Sequence, residues 1–546
     1  MMLTRAEHRR ALGGGALSLA AVFAFVALAT LALIRFDAGS TAATPLLDPY
    51  ILRVLRFTLV QALLSALLSV LLAIPVVRAL ARQQQFPGRI WIVRLMAVPM
   101  GLPVLIGALG LIGIWGRHGV LNTALAGLGL AQPLSIYGLG GILLAHVFFN
   151  LPLACRLLLA GLERVPAEYW RMAASLGMTP LSIFRFIEWP VLRRLIPGVA
   201  GLIFMLCATS FTLVLTLGGG PAATTIEVAI YQALRFDFDP QRAVGLALLQ
   251  IAVTGLILAA MALFPAPSDE ATTTGKASRR LDGASIFRRL SDGLVIFLAT
   301  LLVGAPLLMV LIAGLKADFS KLFADPLVWR AAATSFALSI SAGLLAVLVA
   351  LAIVQALGAI RDRKRRTVPE RAFAATLSAT SSLVLLVPPV VLATGWFLLL
   401  LPTGRVADFA PLLVIVINML MALPFVTRVL APAYEIHVTR TGRLAASLGL
   451  TGLPRVRLID WPGLRRPLLM APSFGMALSL GDLGAVALFG SDQLMTLPWL
   501  VYSRLGSYRT DDADGLALLL GVICLGLTIA GTLGQPNDKE HSAHGR

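Results

Sequence analysis

The chain has 546 residues, of which 58% are hydrophobic and only 13% are charged. An ordinary soluble protein has roughly a quarter of its residues charged, so this composition excludes a typical soluble enzyme. The net charge is +18, but the basic segments contain few aromatic residues and there is no soluble domain to hold them. We therefore expect a lipid bilayer as the environment and no nucleic acid as a partner.

Twelve apolar segments are long enough to be membrane-spanning helices, each of which needs about 20 residues. The first half contains 12–34, 53–80, 92–115, 137–161, 196–217 and 243–265, and the second contains 292–315, 331–359, 373–401, 410–431, 467–490 and 514–534. The first segment is too long for a signal peptide and is expected to remain as a span. These segments predict an all-α polytopic membrane protein.

The distribution of basic residues predicts the orientation of these spans. If both termini are placed in the cytoplasm, 33 of the 45 Lys and Arg residues fall on the cytoplasmic side. Cytoplasmic loops carry an excess of Lys and Arg, and the opposite orientation would invert this ratio. We therefore predict that both termini are cytoplasmic.

A polar segment rich in Pro, Ser, Thr and Gly divides the chain into two halves. It predicts a cytoplasmic linker at 266–291 between a first repeat at 1–265 and a second repeat at 292–534, followed by a cytoplasmic tail at 535–546. Because each half has six spans, the two repeats are expected to have parallel topology, with corresponding loops on the same side of the membrane.

One cytoplasmic loop occurs twice, as RMAASLGMTPLSIFRFIEWPVLRR (171–194) and as RLAASLGLTGLPRVRLIDWPGLRR (443–466). The copies are identical at 15 of 24 positions, all at an offset of 272 residues. Strong helix formers precede Gly177 and Gly449, which stand where a helix C-terminus favours a left-handed residue. A tight turn covering the end of the bundle would need no second copy. The small residues, kept in both copies, favour a symmetric docking site for another protein.

The chain carries no recognisable catalytic apparatus of its own. It has no G-x-x-x-x-G-K-[ST] loop to hold ATP phosphates and no His, Cys or carboxylate cluster with metal-ligand spacing. Cys155, Cys207 and Cys524 lie in or beside apolar segments and are expected to be small core residues. We predict no catalytic residue, cofactor or metal in this chain, so that energy must come from a partner.

The repeated loop resembles the "EAA" motif of permease subunits of ATP-binding-cassette importers. That motif reads Glu-Ala-Ala, three residues, Gly, nine residues, Ile, two residues, Pro. The matching residues, implied to form ATPase-coupling loops, are Arg171, Ala173, Ala174, Gly177, Ile187 and Pro190 in the first copy and Arg443, Ala445, Ala446, Gly449, Ile459 and Pro462 in the second. Arg171 and Arg443 replace the motif's Glu, so a salt bridge of that Glu cannot be transferred to this chain.

From about residue 50 to 530, the chain resembles the fused permeases of bacterial importers of thiamine and thiamine diphosphate. Segments such as LARQQQFPGR and LSLGDLGAVALFG carry this resemblance. It implies a type I importer permease in the bacterial inner membrane that moves thiamine and its phosphates into the cytoplasm. It also implies a cytoplasmic ATPase dimer, which binds ATP and Mg²⁺, and a periplasmic thiamine-binding protein. A ferric-iron importer permease and an ion-coupled secondary transporter remain as alternatives.

Three polar residues within predicted spans are candidates for the solute path. Asp482 in the eleventh span could contact a cationic solute, because a carboxylate in a membrane faces the bundle interior or a cavity. His146 and Asn150 in the fourth span have the same standing. For all three, a structural role in helix packing is the competing and favoured interpretation.

Overall fold

The computed structural model describes residues 4–38, 48–129, 134–263, 280, 285–361, 367–380, 386–490, 494–507 and 509–532. Within these ranges the chain forms only helices and their connections, with no strand. The predicted tail at 535–546 and most of the predicted linker lie outside the described residues. Of the linker, only Arg280 and the residues from 285 onward are described.

From its beginning to Leu315, the chain forms fourteen α-helices among the described residues. They are α1 (Arg5–Ala38), α2 (Pro49–Arg82), α3 (Arg89–Leu95), α4 (Val98–Gly101), α5 (Val104–Trp115), α6 (Val120–Gly127), α7 (Leu139–Glu163), α8 (Ala167–Ser175), α9 (Pro180–Ile183), α10 (Trp189–Ala208), α11 (Thr212–Leu217), α12 (Ile226–Arg235), α13 (Pro240–Met261) and α14 (Ile286–Leu315), which opens the second repeat.

The described part of the chain after α14 forms ten further α-helices. It contains α15 (Phe319–Ala324), α16 (Pro326–Arg361), α17 (Val368–Thr380), α18 (Pro389–Leu400), α19 (Val406–Ser447), α20 (Gly452–Arg455), α21 (Trp461–Leu480), α22 (Gly484–Phe489), α23 (Leu497–Gly506) and α24 (Thr510–Thr532).

Prolines and aspartates define where several membrane helices begin. Pro49 and Pro240 stand first in α2 and α13, where the missing N–H costs nothing and the fixed φ suits the helix. The side chain of Asp48 accepts a hydrogen bond from the N–H of Tyr50, and Asp239 accepts one from Arg242. Each aspartate thus caps the start of a helix by accepting a hydrogen bond from a backbone N–H that has no partner within the helix.

Ten helical segments in the described residues are long and apolar enough to cross a membrane, which confirms the predicted all-α polytopic fold. They are Ala6–Phe36, Pro49–Arg82, Val104–Gly127, Leu139–Glu163, Pro180–Ala208, Pro240–Met261, Ile286–Leu315, Pro326–Arg361, Val406–Ser447 and Thr510–Ala530. Each overlaps one of the twelve predicted spans. The ninth predicted span overlaps the shorter apolar helix Pro389–Thr403. The eleventh overlaps α21, which ends at Leu480, and contains α22.

One packing unit joins α1 to helices of the second repeat. It contains α1, α15 to α23 and the C-terminal part of α24. The backbone of α1 approaches α18 closely at Gly395. A Cβ added at this glycine would lie only 2.4 Å from the carbonyl oxygen of Ala29. The indole N–H of Trp396 donates to the carbonyl of Phe25 at 3.2 Å, and the two rings stack with centroids 4.8 Å apart.

The other packing unit joins α14 to helices of the first repeat. It contains α2 to α14 and the beginning of α24. A Cβ added at Gly110 of α5 would lie 2.3 Å from the carbonyl oxygen of Pro306 in α14. At the start of α14, Asp292 accepts a hydrogen bond from the amide of Gln83 at 3.1 Å and lies 3.5 Å from the guanidinium of Arg82. Thus the first helix of each repeat packs with helices of the other repeat.

The packing units therefore group the helices differently from the predicted repeats. The repeat boundaries at 265 and 292 describe sequence similarity, whereas the units describe which helices contact one another. The boundaries stay a prediction. The described structure adds that α14 begins at Ile286, inside the predicted linker at 266–291.

Candidate coupling site

The first copy of the repeated loop begins with α8 and ends that helix in a glycine turn. Gly177 has φ +60, and its N–H donates to the carbonyl of Ala174 at 3.1 Å. The N–H of Met178 donates to the carbonyl of Ala173 at 3.0 Å. This pair of bonds is a Schellman motif, which satisfies carbonyls at a helix C-terminus and requires a left-handed residue.

The second copy forms the same turn. Gly449 has φ +63, its N–H donates to the carbonyl of Ala446 at 3.2 Å, and the N–H of Leu450 donates to Ala445 at 3.0 Å. Space alone does not exclude a side chain, since nothing lies within 4 Å of a Cβ built at Gly449. The backbone conformation therefore explains the glycine, in agreement with the sequence interpretation.

After the glycine turn, both loops make a short helix and then one π-helical turn. The π-helical turns span Phe184–Glu188 and Val456–Asp460, and they lead directly into α10 and α21. Pro190 and Pro462 occupy the second positions of these two helices. The motif prolines thus stand at the beginning of a helix, where their missing N–H is tolerated.

Some motif residues hold the first loop together from inside. A small buried core within the loop contains Trp170, Ala173, Ile183 and Ile187, with Val165 and Met178 packed against it. In the second copy Ala445 is also buried, whereas Ile459 is half-buried. Ala173, Ala445 and Ile187 therefore act on the shape of the loops and not directly on a partner.

Other motif residues form the exposed face of each loop. They are Arg171, Ala174 and Gly177 in the first copy and Arg443, Ala446 and Gly449 in the second. Large apolar side chains flank this face, including Leu181, which is 74% exposed, and Leu453, which is 78% exposed. A face of small residues edged by exposed apolar side chains is typical of a protein-binding surface.

A buried ion-pair cluster, Arg78–Glu188–Arg280, lies behind the first loop. Glu188, the last residue of the π-helical turn, is fully buried. One carboxylate oxygen accepts from Nε of Arg78 at 2.6 Å, and the other accepts from Nη2 of Arg280 at 2.6 Å. Two charge-assisted hydrogen bonds compensate the buried carboxylate, whose burial alone would be very unfavourable.

The equivalent acid of the second loop, Asp460, has different partners. It lies 2.9 Å from Nε2 of His437 and 3.5 Å from Nε of Arg455. Arg455 in turn lies 3.6 Å from the carboxylate of Glu7 in α1. Each loop therefore ends its π-helical turn in an acid bound by basic side chains, but the basic side chains come from different places.

Asp482 occupies the interruption between α21 and α22. Its carboxylate accepts hydrogen bonds from the N–H groups of Gly484 and Ala485 at 3.1 and 3.3 Å. These are the first N–H groups of α22, so Asp482 caps this helix. The contacts support the structural interpretation of this carboxylate.

His146 and Asn150 lie in a buried polar layer within one packing unit. Nδ1 of His146 lies 2.9 Å from Oγ of Ser65, and the amide of Asn150 donates to Sγ of Cys207 at 3.3 Å. The amide of Gln61 donates to the carbonyl of Cys207 at 2.8 Å. These bonds link α7 to α2 and α10, which again supports a role in packing.

Sequence reasoning missed the acids that end the two π-helical turns. Glu188 and Asp460 are at equivalent positions in the repeated stretch, and this retained acidity was a signal that could have found them. Their partners were not accessible in this way, because Arg78, Arg280 and Glu7 are far away in the sequence.

Comparison with known proteins gives close relatives over nearly the whole chain, although no protein-family model matches it. The "Thiamine transport system permease protein ThiP" of Brucella suis biovar 1 (strain 1330) is 49% identical over 528 residues, which cover 97% of this chain and 96% of that protein. The protein of the same name from Escherichia coli (strain K12) is 45% identical over 478 residues, covering 87% and 88%. That from Salmonella typhimurium (strain LT2) is 43% identical over 510 residues, covering 93% and 94%.

These relatives match both repeats together, and they agree with a chain of many apolar helices that displays the same loop twice. The protein is a multi-pass inner-membrane permease and is not an enzyme in its own right. The chain belongs to the family of thiamine transport system permease proteins.

Proposed function

We propose that this protein is the translocation subunit of an ATP-binding-cassette importer that moves thiamine and its phosphates from the periplasm to the cytoplasm. The observation that carries the proposal is the pair of coupling loops, each with the same glycine turn and the same exposed small residues. The substrate is supported by relatives of 43% to 49% identity named for thiamine transport.

The proposed partners are an ATPase dimer and a periplasmic thiamine-binding protein. One ATPase subunit docks on each loop, through the face that contains Ala174 in the first copy and Ala446 in the second. ATP and Mg²⁺ are bound by the ATPase, and this chain supplies no cofactor site. Both termini lie in the cytoplasm in this proposal, which places both loops on the same side as the ATPase.

The two loops transmit the motion of the ATPase to the membrane helices. The first loop has its own internal packing, and both loops continue directly into a long helix, α10 or α21. A displacement of the loop therefore moves a rigid element and is not absorbed by a flexible connection. Closure of the ATPase dimer on ATP would open the solute path to one side, and hydrolysis would reset it.

Solute selection belongs largely to the binding protein in this proposal. The three polar candidates in the spans already have structural partners: Asp482 caps α22, His146 contacts Ser65 and Asn150 contacts Cys207. Exposed aromatic residues offer a contact for the binding protein at the opposite end of the spans. Phe236 and Phe238, between α12 and α13, are 65% and 80% exposed.

Transport by a purified permease–ATPase complex in liposomes tests the proposal. We expect uptake of labelled thiamine only when ATP is inside and the loaded binding protein outside. Uptake driven by an ion gradient without ATP would contradict the proposal and favour a secondary transporter. The same assay with ferric iron and its own binding protein tests the other alternative. Uptake of iron but not of thiamine would mean that the substrate is ferric iron.

Alkaline phosphatase fusions test the orientation, because this reporter is active only outside the cytoplasm. We expect activity for fusions after Asp237 and Asp325, and none after Arg280 or Arg365. Activity at Arg280 would contradict the cytoplasmic placement of the linker and of both termini.

A further inference from the structure

Arg280, in the predicted linker between the repeats, is buried against the first coupling loop. Its side chain is only 2% exposed. The guanidinium carbon lies 3.8 Å from the centre of the Trp170 ring, while Nη2 lies 2.6 Å from the carboxylate of Glu188. A desolvated cation over an indole face, with a charge-assisted hydrogen bond, is a strong and geometrically specific contact.

This contact ties the loop to the segment that leads into α14. Arg280 precedes the start of α14 at Ile286 by six residues. Trp170 belongs to α8, at the beginning of the loop, and Glu188 ends its π-helical turn. A single side chain thus connects both ends of the first loop to the approach of a membrane helix.

The second coupling loop has a corresponding contact with the beginning of α1. The carboxylate of Glu7 accepts a hydrogen bond from the N–H of Gly452 at 3.2 Å and lies 3.6 Å from Arg455. The side chain of Glu7 is itself held by Thr4, whose N–H and hydroxyl both lie 3.0 Å from it, in a capping box. Here the acid comes from the membrane helix and the base from the loop, the reverse of the first contact.

We propose that Arg280 and Glu7 are positioning residues that fasten each coupling loop to the first helix of a repeat, α14 or α1. The proposal rests on the proposed function of the loops. Because removal of one partner of a buried ion pair is strongly unfavourable, the contacts persist while the loop moves. Arg280 is therefore part of the coupling machinery, and α14 and α1 follow the loops during the transport cycle.

Substitution of Arg280 tests this in the complete permease–ATPase complex in liposomes. The quantity measured is thiamine transported per ATP hydrolysed, with binding protein present. We expect Arg280→Met to lower this ratio about tenfold, which corresponds to about 1.4 kcal/mol of lost coupling. Arg280→Lys, which keeps the charge, should retain most of the ratio of the unmodified complex. Arg289→Met removes an exposed arginine of α14 and should leave the ratio unchanged.

A second pair of variants tests the other loop. Glu7→Gln keeps the shape of the side chain but removes its charge, and should also lower the ratio, by less because its distance to Arg455 is longer. Glu435→Gln is the matched control, since Glu435 pairs with Arg361 at the surface with its side chain 64% exposed. A lowered ratio in this control equal to that of Glu7→Gln would overturn the role assigned to Glu7.

The proposal is overturned if Arg280→Met leaves transport per ATP unchanged, or if transport and ATP hydrolysis fall in proportion, as a loss of folded complex would produce. If Arg280→Met does not assemble, Trp170→Leu weakens the same contact without an unpaired charge, and the same criteria apply to it. Failure of the proposed function is recognised separately, because the unmodified complex would then not transport thiamine with ATP and binding protein.

Discussion

The two copies of the repeated loop form the same glycine turn, but different helices lead into that turn. In the first copy, α7 ends at Glu163 and a new helix, α8, begins after Pro166. In the second copy, α19 runs without interruption for 42 residues, from the membrane to the glycine turn. The residue that corresponds to Pro166, at the offset of 272, is Val438.

This difference separates what the motif encodes from what its surroundings encode. The glycine turn needs only local residues, so it forms in both copies with hydrogen bonds of nearly the same length. The helix that leads into the turn depends on residues outside the motif. Trp170, which packs inside the first loop, corresponds to Gly442 in the second, and the charges that hold the two loops come from different segments.

Exchanging Pro166 and Val438, the equivalent residues before the two glycine turns, should have the largest effect. Val438→Pro would remove a helical N–H from the last third of α19 and place a ring against the preceding turn. We expect a loss of about 3 kcal/mol in stability and loss of ATPase stimulation. Pro166→Val, the reciprocal change, should alter stability by less than about 1 kcal/mol, because a proline before a helix constrains mainly the unfolded chain. Equal thermal shifts of the two purified variants would contradict this comparison.

Charge placed on the exposed face should disrupt docking in both copies. We expect Ala174→Glu and Ala446→Glu each to weaken ATPase binding at least about tenfold, because a desolvated, unpaired carboxylate costs more than 1.4 kcal/mol. Co-purification of the ATPase with the permease measures this. The thermal stability of the permease alone should not change. Ala173→Glu, at the buried neighbour, should instead destabilise the permease, and the reverse pattern would show that the exposed face is assigned incorrectly.

Alanine at the two turn glycines should have a smaller effect, equal in both copies. Gly177→Ala and Gly449→Ala meet no neighbouring atoms, but each forces a Cβ into a left-handed conformation at a cost of about 1 kcal/mol. Asparagine tolerates this conformation better, so Gly177→Asn and Gly449→Asn are the controls. A difference between the copies, measured by thermal unfolding, would show that the turns are not equivalent.

The smallest effect is expected for His437→Val, which gives the second loop the residue that the first has at Val165. The change removes the hydrogen bond to Asp460 but leaves Arg455 near the same carboxylate. We therefore expect a loss of about 1 kcal/mol or less, measured by thermal unfolding. A loss as large as that of Val438→Pro would mean that Arg455 does not compensate Asp460.

Local features of this protein could be predicted from the sequence, and contacts between distant segments could not. Hydropathy predicted the membrane helices, and Gly177 and Gly449 predicted the helix ends, because both signals lie within a few residues. The interruption of the eleventh span at Asp482 was not predicted. Its cause is local, a carboxylate that caps α22, but hydropathy averages over such a residue.

The grouping of helices into packing units was beyond the reach of sequence periodicity. Any two apolar helices satisfy the hydrophobic pattern equally well, so the pattern does not state which pairs contact. The choice is made by close approach at Gly395 and Gly110 and by buried polar contacts such as Asp292 with Gln83. The partners of Glu188 were inaccessible for the same reason, since a buried acid does not specify which arginine binds it.

The packing of α1 with helices of the second repeat has a consequence for synthesis in the cell. This helix is synthesised well before α16, against which Gly15 packs, because α16 begins only at Pro326. At ordinary rates of translation, α1 waits on the order of half a minute for this neighbour. During that time the surface of α1 around Gly15 lacks the α16 residues that cover it in the folded protein. Membrane insertion and tertiary assembly of this helix are thus separate events in time. A truncated chain that stops before α16 leaves α1 without this packing partner and exposes the chain to proteolysis.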